Sequence, residues 1–162
     1  MDEWSGGTDG RDLRVTLVVA RFNELAVRPL VHGARAALLR CGVPEQGLRC
    51  VWVPGGFELP LVAEAVARRG DCDAMVALAA VIRGETPHFD YVAGEAARGL
   101  ASVARRHQLP VAFGVLTTNS LEQALDRAGG KHGNKGEAAA LVAVEMATLL
   151  RRLRSHPGGG QA

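Results

Sequence analysis

Four short clusters of residues able to bind ligands or move protons each follow directly on a run of apolar, β-branched residues. They are Arg21-Phe22-Asn23, Pro54-Gly55-Gly56-Phe57-Glu58, Arg83-Gly84-Glu85-Thr86-Pro87-His88 and Thr117-Thr118-Asn119. The third cluster is the most informative. Thr86 suits a helix N-cap and Pro87 suits the first helical position, where a missing N–H costs nothing, so a helix is predicted to begin at Pro87. Free backbone N–H groups at such a start, preceded by Gly84, form a phosphate site that needs no side-chain charge. His88 then falls in the first helical turn, where the positive end of the dipole disfavours an imidazolium and favours a ring that can accept and return protons. A histidine without context is ordinarily a surface or internally satisfied residue. The nearby anion site, and an edge shared with Phe22, Phe57, Asn23 and Glu58, favour a functional reading.

Aromatic residues make up only 4% of the chain, yet Phe22 and Phe57 fall in loops after strands. A flat heterocycle stacked on such a ring gains about 1 kcal/mol beyond its buried area. Asn23, Glu58 and backbone groups can then hold polyhydroxyl arms, although either phenylalanine alone reads equally well as a hydrophobe closing a loop. Farther on, Arg127, Lys131 and Lys135 surround Gly129, Gly130, Gly133 and Asn134 in a basic, glycine-rich turn. Phosphate is a natural guest there, with Arg127 as a planar fork. Cations at a solvated helix C-terminus are the structural alternative, and the role expected of Arg151, Arg152 and Arg154. The chain has no Gly-x-Gly-x-x-Gly after its first strand, no Walker loop, no Gly-x-Ser-x-Gly elbow and no His-Glu-x-x-His. Its histidines, at 32, 88, 107, 132 and 156, lack metal-ligand spacing, so no metal is expected.

Positioning these clusters requires strands that end together. Residues 14–20, 48–53, 74–82 and 111–116 are nearly continuously apolar and read as strands. A helical segment follows each, which predicts a parallel sheet covered by helices on both faces: an α/β sandwich whose ligand edge lies beyond the carboxyl ends of the strands. Val92, Ala96, Leu100 and Val103 share one helix face, and Val142, Met146, Leu149 and Leu153 share another. Asn119 with Glu122 resembles a cap for a helix through Ala128 that Gly129-Gly130 ends, and a last helix starts near Lys135. Residues 1–12 and 155–162 read as flexible tails around one domain, 13–154.

Composition narrows the function. A chain of 162 residues with 48% hydrophobic and 22% charged residues is the size of one globular domain. A net charge of +2 gives no basic field for nucleic acid or an anionic membrane, leaving small polar substrates as the expected partners. The acidic opening Met1-Asp2-Glu3-Trp4 lacks an apolar stretch behind it, so export is not expected. Cys41, Cys50 and Cys72 form an odd set suited to reduced thiols in a cytosol and read as small buried hydrophobes.

Taken in order, Arg21-Phe22-Asn23, Trp52-Val53-Pro54-Gly55-Gly56-Phe57-Glu58-Leu59-Pro60, the run from Val81 to Tyr91 and Gly133-Asn134-Lys135-Gly136 resemble the 6,7-dimethyl-8-ribityllumazine synthase family, over residues 13–150. The resemblance implies a flavodoxin-like three-layer sandwich around a four-stranded parallel core, no cofactor, and pentamers whose active sites lie between subunits. It further implies a cytoplasmic enzyme that joins 5-amino-6-(D-ribitylamino)uracil to 3,4-dihydroxy-2-butanone 4-phosphate, releasing phosphate and water, in the penultimate step of riboflavin biosynthesis. By the same resemblance Phe22 stacks on the pyrimidine, and Asn23, Gly56, Phe57, Glu58, Val81 and Ile82 line the pyrimidine and ribityl site. His88 moves protons, Arg127 with backbone groups of Glu85 and Thr86 binds phosphate, and Phe113 and Lys135, with Arg127, reach in from a neighbouring subunit.

Ala79 stands where the family often has glycine, and Ala80 lacks a hydroxyl that some members carry, so affinity is expected to differ modestly. The short turn Gly129-Gly130-Lys131-His132-Gly133-Asn134 resembles the link of members that build icosahedral shells, for which riboflavin synthase is a partner. The Trp4-bearing N-terminal segment is expected to run onto a neighbour's sheet edge. Two rival readings remain: a non-catalytic shell or flavin-binding homologue, and a riboflavin synthase that dismutates two lumazines.

Overall fold

Alternating strand and helix patterns resolve, in a computed structural model that describes residues 1–156, into β1 (Val15–Ala20), α1 (Glu24–Arg40), β2 (Leu48–Val53), α2 (Leu59–Arg69), β3 (Ala74–Ile82), α3 (His88–His107), β4 (Val111–Thr118), α4 (Leu121–Arg127) and α5 (Lys135–Ser155). Two 3-10 turns, Glu45–Gly47 and Gly56–Glu58, precede β2 and α2. The four long strands form one parallel sheet in the order β2-β1-β3-β4.

The side-chain alternation of the central strands builds the layers. Val15, Leu17 and Val19 of β1 and Ala74, Val76 and Leu78 of β3 pack with buried residues of α1, α4 and α5. Val18 and Ala20, with Met75, Ala77 and Ala79, pack with α2 and α3 on the other face. This is the expected three-layer α/β/α sandwich. Each fully buried Leu, Val or Met contributes about 1.5–3 kcal/mol from apolar burial, which explains why β3 reads as an unbroken apolar run and β1 as one broken only by Thr16. The edge strands differ from that reading: Arg49 and Cys50 of β2 and Phe113 and Thr117 of β4 are exposed. Of the cysteines only Cys72 is buried, Cys41 is intermediate and Cys50 is exposed, so the expectation of three buried thiols holds for one.

Several boundaries shift for identifiable reasons. α4 is capped by Ser120, whose hydroxyl accepts from the Gln123 N–H at 3.2 Å, while Gln123 Oε1 accepts from the Asn119 N–H at 2.9 Å. The capping box therefore lies one residue beyond the expected Asn119–Glu122 pair. After α4 the glycine-rich turn folds into a small antiparallel ribbon, β5 (Ala128–Gly130) and β6 (Gly133–Asn134). The buried face of α5 consists of Ala139, Ala140, Ala143, Val144 and Ala147 rather than the expected seam, since Val142, Met146 and Leu153 are exposed. Small residues win because α5 lies very close to α1: a Cβ at Gly136 would meet the Leu30 carbonyl oxygen at 2.1 Å. α5 continues through Ser155, and the remainder of the expected C-terminal tail, 157–162, lies outside the described residues.

The N-terminal segment has no regular structure but lies along α5. Thr148 Oγ1 accepts from the Gly7 N–H at 2.8 Å, and the Trp4 ring stands beside the Arg152 guanidinium, 4.5 Å from its carbon, and the His156 ring. On the opposite layer Glu64 of α2 is 16% exposed and surrounded by cations. His107 Nε2 of α3 lies 3.0 Å from its Oε1, off the hydrogen-bonding direction, while Arg68 and Arg106 each bond to it at 2.9 Å. The His107 contact first, then Arg68 and Arg106, hold the Glu64 carboxyl down at about 2 from its ordinary 4.5.

A group whose folded pKa is depressed contributes stability that is full above its unfolded pKa and is lost as pH falls through the folded value. Glu64→Gln should therefore flatten part of the fall in stability between pH 4.5 and 2, read by thermal unfolding across that window. Asn134 ties α1, the ribbon and α5 together: its amide donates to the Pro29 carbonyl at 2.9 Å, and its Oδ1 accepts from the Gly136 and Glu137 N–H groups. Asn134→Ala should lower unfolding free energy by about 1–2 kcal/mol in a urea titration, from the lost cap and the lost tether to α1.

Candidate active site

The order β2-β1-β3-β4 sends the chain from β1 to one side of the sheet and from β3 to the other, which opens a crevice where their carboxyl ends diverge. A cavity of about 530 Å³ lies there, a size suited to a small substrate. Ala20 ends β1 and Phe22 and Asn23 follow it; residues 54–58 follow β2; Ala79, Ala80, Val81 and Ile82 end β3; and Gly84, Thr86, His88 and Phe89 come from the loop into α3.

Asn23 adopts a left-handed conformation, φ 61 and ψ 44, which asparagine tolerates better than most residues. Its carbonyl accepts from the Ala26 and Val27 N–H groups to start α1, and its side-chain amide donates to the Ala80 carbonyl at 2.7 Å. That bond ties the turn after β1 to the end of β3. The Arg21 and Phe22 N–H groups continue the pairing onto the Val53 and Pro54 carbonyls, leaving the Phe22 ring 72% exposed. Phe57 is 55% exposed and shares the cavity, so both rings offer a free face to a flat ligand. Gly56 is buried, and a Cβ there would stand 3.2 Å from Val92 Cγ1 and 3.4 Å from Val81 Cγ2, tight enough to disturb the wall between α2 and α3.

The helix into which His88 is built begins one residue later than expected. Pro87 occupies the cap position with φ −64 and ψ −3, and no side chain caps it, so Thr86 is not an N-cap. Thr86 lines the cavity instead, with Gly84, where a Cβ would meet nothing within 4 Å. Open backbone therefore faces the cavity beside His88, the arrangement that an anion site at a helix start requires. Glu85 is exposed and outside the cavity wall.

Among the described residues, the only ionisable side chains lining this cavity are Glu58 and His88. The cations expected at the site lie elsewhere on the chain: Arg127 and Lys135 line a second hollow of about 480 Å³ with Phe113, Gly114 and Val142. Phe113 is 47% exposed, and Arg127 also donates to the Gln123 carbonyl at 3.1 Å, as a cation closing the end of α4 does. Lys131 is exposed and lines neither hollow. Phe22, Asn23, Gly56, Phe57, Glu58, Val81, Ile82, Thr86 and His88 are thus brought together, and Phe113, Arg127 and Lys135 form a separate group. Sequence reasoning missed Phe89 and Val92 as wall residues. Val92 shares a helix face with Ala96, Leu100 and Val103, and only its spacing of one turn from His88 points to the cavity.

An open parallel sheet between helix layers, with a cavity lined by two exposed rings and open backbone at its switch point, defines a flavodoxin-like α/β/α protein. A family model described as 6,7-dimethyl-8-ribityllumazine synthase matches residues 12–151. The chain belongs to that family, a family of enzymes.

The Asn23 turn can be tested by stability. Asn23→Gly keeps the backbone conformation and loses the tether, costing about 1 kcal/mol, whereas Asn23→Leu adds about 1–2 kcal/mol of left-handed strain. Denaturant midpoints of the two variants should fall in that order.

Proposed function

We propose that the protein is a 6,7-dimethyl-8-ribityllumazine synthase. It condenses 5-amino-6-(D-ribitylamino)uracil with 3,4-dihydroxy-2-butanone 4-phosphate, and phosphate and water are released. The observation that supports this most directly is that Phe22, Glu58 and His88 line one cavity together with the open backbone at Gly84 and Thr86. In this reading Phe22 stacks on the pyrimidine, while Asn23, Gly56, Phe57, Glu58, Val81 and Ile82 surround its edge and the ribityl arm. Backbone groups of Glu85 and Thr86 bind phosphate.

The amine of the pyrimidine attacks the ketone of the sugar phosphate, and loss of water leaves an imine. Elimination then expels phosphate, and attack of the second nitrogen on the new carbonyl closes the ring with loss of a second water. His88 carries protons between these steps, and the remaining catalytic contribution is positioning.

Backbone N–H groups alone hold a dianion less firmly than they do with cations beside them, and among the described residues the cavity wall has no cation. The location of Arg127 and Lys135 beside Phe113 in a second exposed hollow supports a shared site, in which Phe113, Arg127 and Lys135 of one subunit complete the cavity of the next. The assembly proposed is a pentamer, arranged with others into an icosahedral shell, cytoplasmic, with riboflavin synthase as a partner. Among the described residues no helix is long and apolar enough to cross a membrane.

Mixing both substrates with the purified protein should yield the fluorescent lumazine, and native mass measurement should give multiples of five chains. Binding without product would overturn the activity, and riboflavin formed from lumazine alone would select a dismutase instead. His88→Ala should lower kcat by about 10²-fold with pyrimidine binding retained. Arg127→Ala should raise the KM for the phosphate substrate by about 10- to 100-fold, the worth of a charge-assisted contact.

A further inference from the structure

The loop that delivers His88 is fixed almost entirely at its two ends. The Arg83 N–H donates to the Thr118 carbonyl at 2.8 Å where the loop leaves β3, and the Asp90 N–H donates to the Pro87 carbonyl at 3.0 Å where α3 begins. Between them residues 84–87 are exposed, and none of their side chains makes a hydrogen bond. One side chain spans the gap. Arg83 Nη2 donates to Asp90 Oδ1 at 3.2 Å, and the guanidinium carbon stands 4.2 Å from the centre of the Phe89 ring. Phe89 lines the cavity, whereas Arg83 does not, so the guanidinium braces that ring without entering the wall.

We propose that Arg83 is a positioning residue, a staple across the loop between β3 and α3 that sets the backbone donors at 84–86 and the ring of His88. The role rests on the function proposed above. An exposed ion pair alone is worth little, but here one planar group grips two consecutive residues of the first helical turn, immediately after His88. A lysine would retain the charge and lose both the stack and the fork. The geometry also separates this role from direct phosphate binding. If Arg83 were itself a phosphate ligand, releasing it from Asp90 would strengthen anion binding; as a staple, the same change weakens it.

The test uses the full-length protein and Arg83→Met, Arg83→Lys and Asp90→Asn. Hydrogen exchange of the first-turn amides at 90–93 should quicken by about tenfold in Arg83→Met and by a smaller factor in Asp90→Asn, without rescue by lysine, while β3 and β4 amides stay unchanged. The KM for the sugar phosphate should rise by about fivefold in both Arg83→Met and Asp90→Asn, with the KM for the pyrimidine unchanged, a split that a loss of global stability would not produce. Unchanged exchange at 90–93 in Arg83→Met, or tighter phosphate binding by Asp90→Asn, overturns the proposal. An unaltered protein that makes no lumazine would refute the activity, and the exchange comparison would still decide the role of Arg83.

Discussion

The parallel pairing of β1 with both β2 and β3 is the constraint from which the site follows. Its register is continuous, with Val19 opposite Trp52 on one side and Leu78 on the other, so the carboxyl ends of three strands finish at one edge. Chain stretches some thirty residues apart then discharge their polar loops into the same space, about the length of one βαβ unit. The bond from Asn23 to the Ala80 carbonyl closes the arrangement, because it fixes the turn after β1 against the strand that forms the cavity floor. Without that register, Phe22, Glu58 and His88 would be isolated surface residues.

Charge is distributed in a way that matches this division. The wall of the main cavity supplies rings, a carboxylate, an imidazole and backbone, while Arg127 and Lys135 are held beside Phe113 on the far side of β4 and α5. Arg83, the nearest cation in sequence to the anion loop, is turned toward Asp90 and Phe89. On the function proposed above, a single chain therefore carries both halves of a phosphate site without joining them.

Much of this was legible in the sequence, because strands buried on two faces leave unmistakable apolar runs; β2 and β3 match residue for residue, and β1 to within one position. The loops were legible for the same reason: they begin where those runs stop. What escaped reading was decided by contacts distant in sequence. The buried face of α5 is a row of alanines chosen by its close approach to α1, while its larger apolar residues face outward, the reverse of what hydrophobicity alone suggests. Thr86 looked like a cap by type, but it faces the cavity and leaves the helix start uncapped. Ser120 rather than Asn119 caps α4 because β4 runs two residues farther than its apolar stretch.

Val142 and Phe113 have few demands placed on them by their own chain, since both are open to solvent in the isolated fold. On the two-chain reading they nevertheless form part of another copy's reaction chamber. Natural variation at the second hollow should then track variation around Phe22 and Phe57, so a covariance signal between residues that never meet in one molecule would be a signature of contact across the seam.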